Sequence, residues 1–145
     1  MLLWKVQYGR SMSRFYYSYF GNKRKEIAHV DAVVDYTKFD YVVEPFAGSC
    51  ALSLELHARG VASHFVVNDL DPRLVELMRF VAINGSDPLY EYCRGRLDAD
   101  SFKEHHRKKE RSEGVYADFY RNRVVSGFMN GGKPPNKWPA LVKGP

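Results

Sequence analysis

Cysteine is scarce in this chain: only Cys50 and Cys93 occur among 145 residues. The two follow neither a metal-ligand nor a redox spacing, so they fit free thiols in a reducing compartment. Long apolar runs are missing as well, and none approaches the roughly 20 residues that a membrane helix needs. The opening Met1-Leu2-Leu3-Trp4 gives way at once to Lys5 and polar residues, so no signal peptide is expected. A soluble, intracellular protein without a membrane partner is expected. No strong excess of one charge is present either. Lys and Arg total 22 against 17 acidic residues, a formal net charge of +5. That balance suits a polyanionic partner, but many soluble proteins without one carry as much. The 45% hydrophobic and 27% charged fractions exclude a disordered chain. The length suits one modest domain and is short for two.

What is present centres on residues 41–50. Tyr41-Val42-Val43 is an apolar run of the buried-strand kind, read as a central strand and ended by Glu44-Pro45, since proline cannot donate to a sheet ladder. The chain then turns through Ala47-Gly48-Ser49 into helical spacing at Ala51, Leu52, Leu54, Glu55 and Leu56, closed by Gly60. A tight turn of small residues lets a ligand approach the backbone and aims free N–H groups at it. One glycine alone is equally compatible with a plain strand-to-helix connection. The second run, His64-Phe65-Val66-Val67, changes the balance by delivering Asp69. That carboxylate follows Gly48 by roughly the 20 residues at which nucleotide-binding βαβ units place the group that holds a ribose hydroxyl. Asp71 and Pro72 are explained by structure, as helix N-cap and first helical residue. Leu74, Leu77, Met78, Val81 and Ala82 then share a core face that ends near Asn84-Gly85. The stretch reads as an adenosine-binding site.

Upstream, the aromatic run Phe15-Tyr16-Tyr17-Ser18-Tyr19-Phe20 breaks at Gly21-Asn22 and turns basic at Lys23-Arg24-Lys25. Two readings stay open. The run is aromatic core before a solvated helix start, or it sets a ring against an adenine or sulfonium with Lys23 against a carboxylate. Ile27, Val30, Val33 and Val34 predict a helix over 27–35, followed by a loop at 36–40. Downstream, residues 86–98 predict a short helix against the sheet. The charged run 103–111 has almost no apolar face, so it reads as a solvated element or as a set of DNA phosphate contacts. His105-His106 lacks a Cys or carboxylate at ligand spacing, which argues against a metal. Tyr116, Phe119, Tyr120 and Val124 fall on one helical face and predict core.

Three motifs in order now carry a resemblance. Tyr19-Phe20-Gly21-Asn22-Lys23, then Glu44-Pro45-Phe46-Ala47-Gly48-Ser49, then Asn68-Asp69-Leu70-Asp71-Pro72 resemble the first three signatures of the Dam-like DNA adenine methyltransferases. The resemblance covers roughly residues 15–84. It implies an α/β, Rossmann-like methyltransferase fold and methyl transfer from S-adenosylmethionine to the exocyclic amine of adenine in double-stranded DNA. It also implies cofactor roles residue by residue. Tyr19 borders the cofactor and Lys23 contacts it. Phe46 and Gly48 form the loop beside its amino-acid portion and sugar, and Asp69 accepts from the ribose hydroxyls. Cys50 stands where many relatives have a second glycine, and Asn22 replaces another in the first motif.

The family's catalytic box, an Asp, Asn or Ser followed by Pro-Pro and an aromatic, has no match. The only Pro-Pro is in Lys133-Pro134-Pro135-Asn136, which offers neither the acceptor nor the ring. No catalytic residue is therefore named. The expectation is an incomplete enzyme: residues 1–98 the cofactor portion, 99–145 the start of a truncated recognition region, with the box supplied by the rest of a longer enzyme or by a second chain. Phosphate contacts are expected from Arg107, Lys108, Lys109, Arg121 and Arg123. A phage, viral or restriction–modification source suits such a family. The alternatives are a non-catalytic remnant that binds S-adenosylmethionine or DNA, and a methyltransferase for RNA or a small molecule.

Overall fold

The computed structural model describes residues 26–107 and 113–125 in full and residues 2–5 as backbone. It divides into two compact units, Met1–Gly85 and Ser86–Pro145. The break falls earlier than the 98/99 boundary read from the sequence, because the helix after Gly85 gives its rings to the second unit.

The first unit runs β1 (Leu2–Lys5), α1 (Ile27–Asp31), β2 (Tyr41–Glu44), α2 (Ala51–Ala58), β3 (His64–Val67) and α3 (Pro72–Asn84). The helix expected over 27–35 is shorter, ending at Asp31. Asp35 instead starts a 3-10 turn at Tyr36–Lys38, accepting from the Thr37 N–H at 3.1 Å and its hydroxyl at 2.6 Å. Such local side-chain bonds compete with helix continuation.

The strands form one sheet in the order β1-β3-β2. β1 pairs antiparallel with β3, placing Leu2 opposite Val67, and β2 pairs parallel with it, placing Glu44 opposite Val67. The run at 41–44 is thus an edge strand among the described residues, and β3 is the central one. Burial agrees: Phe65 and Val67 are buried, whereas Tyr41 and Val43 are exposed. The parallel pair needs a crossover, and α2 supplies it, completing a βαβ unit.

Leu54 and Leu56 of α2 join Phe65, Val67 and four residues of the predicted α3 face, Leu74, Leu77, Met78 and Val81, in the core, while the fifth, Ala82, is half-buried. Each of the buried side chains contributes on the order of 1.5–3 kcal/mol of burial. Helix α2 stops at a left-handed Gly60 (φ 67°), whose N–H bonds the His57 carbonyl while that of Val61 bonds Leu56. This pair of bonds satisfies the last carbonyls of the helix. At α3 the reading of Asp71 and Pro72 holds, with the Asp71 carboxylate accepting from the Arg73 N–H at 3.0 Å.

The second unit is helical: α4 (Asp87–Arg94), α5 (Ala99–Arg107) and α6 (Val115–Tyr120), which continues as a π-helical turn at Arg121–Val125. Leu89, Cys93, Phe102, Phe119, Tyr120 and Val124 are buried in it. Tyr90 of α4 meets Phe119 edge-on at 5.2 Å, and the Tyr120 hydroxyl donates to the Arg96 carbonyl at 2.7 Å. Phe119, Tyr120 and Val124 are core as expected, while Tyr116 is exposed. The charged run is solvated at Lys103, Glu104 and Arg107, yet α5 carries a buried stripe of Phe102 and His105. Among the described residues, no helix is long and apolar enough to cross a membrane.

Candidate functional site

The parallel register of β2 and β3 brings the turns that follow them side by side, and the two are stitched together. The Asn68 N–H donates to the Glu44 carbonyl at 3.0 Å, and the Ala47 N–H donates to the Asn68 carbonyl at 2.9 Å. The Asn68 side-chain amide reaches the Pro45 carbonyl at 3.4 Å. Asp69 ties both turns at once: one carboxylate oxygen accepts from the Gly48 N–H at 2.8 Å, the other from the Asp71 N–H at 3.0 Å. Inside the first turn, the Cys50 N–H closes on the Ala47 carbonyl at 2.8 Å.

These bonds correct one expectation. The N–H groups of Ala47, Gly48 and Cys50 are engaged within the chain, so they are not the ones offered to a ligand. The turn is also conformationally demanding, because Gly48 and Cys50 both have φ 53°. Glycine adopts that angle freely, whereas for Cys50 it costs roughly 1–2 kcal/mol. Such a backbone persists only where neighbouring bonds over-determine it, as they do here.

Asp69, Phe46 and Leu70 lie just past the carboxyl ends of β2 and β3. An ionised carboxylate has about four acceptor positions. The bonds from Gly48 and Asp71 take one on each oxygen of Asp69, and the partly exposed group keeps capacity for a vicinal diol. Phe46 and Leu70, one on each turn, are 79% and 96% exposed. Between the turns, Gly48, Cys50, Asn68, Asp69, Val67 and Met78 line a small cleft of about 10 Å³, room for one water at most. Beside it opens a depression of about 410 Å³ lined by Asp69, Leu70, Pro72, Val75, Glu76 and Arg79. That is within the roughly 300–1,000 Å³ of small-molecule sites. Asp69 lines both the small cleft and the larger depression. Asp71 is engaged elsewhere: the Arg73 guanidinium chelates it at 3.0 and 2.8 Å and holds its carboxyl below the usual range.

Two contributors had no role in the sequence reading. Asn68 stitches the turns through backbone and side chain. Glu44, buried at the end of β2, accepts from the Ser53 N–H at 3.2 Å and the Ser53 hydroxyl at 2.6 Å. A carboxylate ending a strand, with a serine in the first turn of the next helix, is the signal that was available.

The other candidates separate. Tyr19, Lys23, Lys108 and Lys109 lie outside the described residues. Arg107 ends α5 and is exposed. Arg121 and Arg123 are buried. The Arg121 guanidinium bonds Glu113 at 2.7 Å and Asp118 at 3.0 Å, and its Nε donates to the His105 carbonyl at 3.3 Å. This placement argues against phosphate contact by Arg121 or Arg123. His105 is structural too: its Nδ1 meets the Ser101 carbonyl at 2.7 Å and its Nε2 the Tyr92 hydroxyl at 3.2 Å. Among the described residues, no group of three His, Cys, Asp or Glu side chains is placed to hold a metal.

A family model for D12 class N6 adenine-specific DNA methyltransferases matches residues 19–127. No curated protein and no solved structure matches the chain. The family match takes in the aromatic-basic motif, both stitched turns and the helices of the second unit. It spans most of the sequence, and the chain belongs to the D12 class N6 adenine-specific DNA methyltransferase family.

Proposed function

We propose that this chain carries the cofactor-binding portion of a site-specific DNA adenine methyltransferase, built on a Rossmann-like unit whose parallel core is β2–α2–β3. The observation that carries the reading is the placement of Asp69. It stands at the carboxyl end of the central strand, where open α/β sheets bind ligands. It borders the open depression and retains acceptor capacity after fixing both turns. S-adenosylmethionine, when bound, supplies the electrophilic methyl group. Asp69 holds the ribose hydroxyls and Gly48 allows close approach of the sugar, while Phe46 covers the cofactor from the rim. Tyr19 and Lys23, outside the described residues, complete the set by family resemblance.

The chain's own part in the reaction is to bind and orient, which can lower a barrier substantially when the reacting atoms are well aligned. No residue of this chain is assigned as the acceptor that polarises the adenine amine or as the ring that stacks on a flipped base. Arg107, with Lys108 and Lys109 next in sequence, is the proposed phosphate contact. The missing box favours one rival: a module that binds cofactor or DNA without turnover. Methylation assays on DNA, with and without an added box-containing segment, separate the two.

Calorimetric titration of S-adenosylmethionine into the chain tests the site. Binding should weaken at least about tenfold, or roughly 1.4 kcal/mol, in Asp69→Ala that circular dichroism shows to be folded. Equal affinity in parent and variant removes Asp69 from the site.

A further inference from the structure

Ser53 is not among the residues lining the open depression, and it is fully buried. It occupies the third position of α2, where a helix still has backbone N–H groups without an intrahelical acceptor. A side chain at the N-cap ordinarily takes one of them. Here the N-cap is Cys50, which makes no such bond. The function has moved to Glu44, the last residue of β2, whose carboxylate receives both the Ser53 N–H and the Ser53 hydroxyl. Negative charge at a helix N-terminus is favourable. A hydroxyl-to-carboxylate bond of 2.6 Å is of the short, charge-assisted kind.

The consequence is topological. The bond closes the segment 44–53 on itself, and that segment is the turn bearing Phe46 and Gly48. Asn68 and Asp69 fix the same turn from the β3 side. The turn is therefore held at two places, and only the β3 side also belongs to the ligand-facing surface. We infer that Ser53 is a positioning residue of the cofactor site, acting through Glu44 to hold the Phe46–Gly48 turn in its binding geometry. This rests on the cofactor reading above. Ser53 touches no ligand, and its contribution is to keep a strained turn from relaxing before the cofactor arrives.

Ser53→Ala removes the hydroxyl without adding bulk, and Glu44→Gln keeps an acceptor while removing charge. Two readouts are needed. Amide hydrogen exchange at Ala47, Gly48 and Cys50, measured without cofactor, reports whether the turn is held. Calorimetry with S-adenosylmethionine, at a temperature where both variants are folded by circular dichroism, reports whether that holding matters. Ser53→Ala should exchange faster at the three amides and bind about five- to tenfold more weakly, the scale of one lost hydrogen bond. Glu44→Gln should fall between it and the parent. Unchanged affinity in both variants overturns the inference, whether or not exchange quickens, because the pair is then only a helix cap. Failure of the parent to bind removes the functional reading and the inference with it. Faster exchange in Ser53→Ala would then show that the tether is real and the ligand misassigned.

Discussion

Arg121→Met separates a guanidinium that holds the fold from one that meets DNA. The Arg121 side chain is 8% exposed and Asp118 is 14% exposed, so their pairing is of the buried kind. Removing one partner of such a pair typically costs about 3 kcal/mol or more. Glu113 is 38% exposed, and solvent screening limits its share to roughly 0.2–1 kcal/mol. The bond from Nε to the His105 carbonyl adds about 1 kcal/mol. Methionine keeps most of the apolar stem in place, so packing is largely conserved. The total is about 4 kcal/mol, a large part of the roughly 5–15 kcal/mol that stabilises a typical domain. Urea unfolding followed by far-ultraviolet circular dichroism should show a fall in midpoint on the order of 2 M, taking a slope near 2 kcal/mol per molar. The reasoning is refuted by an unchanged midpoint together with weaker DNA binding and a salt dependence lowered by about one contact. That pair of results would make Arg121 a phosphate ligand, as its sequence context suggests.

Phe46→Ala should leave the thermal midpoint nearly unchanged, within about 0.5 kcal/mol, because the ring is exposed in the free chain. The same change should weaken S-adenosylmethionine binding in calorimetry; equal affinity would remove Phe46 from the cofactor surface. Burial pushes the Cys93 thiol from its usual 9.0 up to about 12 and raises the Tyr120 phenol as well. In the unfolded chain the thiol ionises near its ordinary value, while the folded chain keeps the proton. Stability should therefore hold up to about pH 9 and fall as pH rises toward 12, read by urea midpoints across that range. A midpoint that rises over the same interval would contradict the sign. With Cys50 also fully buried, a thiol reagent at pH 8 should modify neither cysteine until denaturant is added.

The parts of the fold that were legible in the sequence are those governed by local rules. β3 and α3 follow from an apolar run, an Asp N-cap, a Pro at the first helical position and a closing Gly85, and each signal is complete within a few residues. β1 was invisible because residues 2–5 reveal their role only by pairing with β3, far along the chain. The edge position of β2 was hidden for the same reason: Tyr41-Val42-Val43 looks buried in composition, but pairing order decides which strand is central. In the second unit, the charge of 103–111 masked α5, since its anchoring Phe102 precedes the run by one residue. Arg121 and Arg123 misled in the opposite direction. Basic residues among aromatics suggest a nucleic-acid surface, but Glu113 just before α6 and Asp118 within it pair with Arg121, which is buried. Sequence spacing does not reveal that choice.

The site shows how far pattern can go before geometry must take over. Spacing points to Asp69 and the family resemblance to Gly48 as two separate ligand contacts, and the structure binds them to each other at 2.8 Å. This bond changes their meaning without removing their candidacy. An Asp at the end of β3 that served only the ribose would leave the Phe46–Gly48 turn anchored mainly by Glu44 and Ser53. By bonding Gly48, the same carboxylate couples the position of the turn to its own orientation. In the proposed complex, a diol that aligns Asp69 would also align the Phe46–Gly48 turn, and a misplaced turn would misalign the acceptor. Preorganisation of this kind lowers the ordering cost of binding. It also explains how two large apolar side chains, Phe46 and Leu70, can stay exposed at adjacent turn tips. Hydrogen bonds beneath them fix the turns, so neither ring nor leucine has to collapse into the core to hold its own backbone in place.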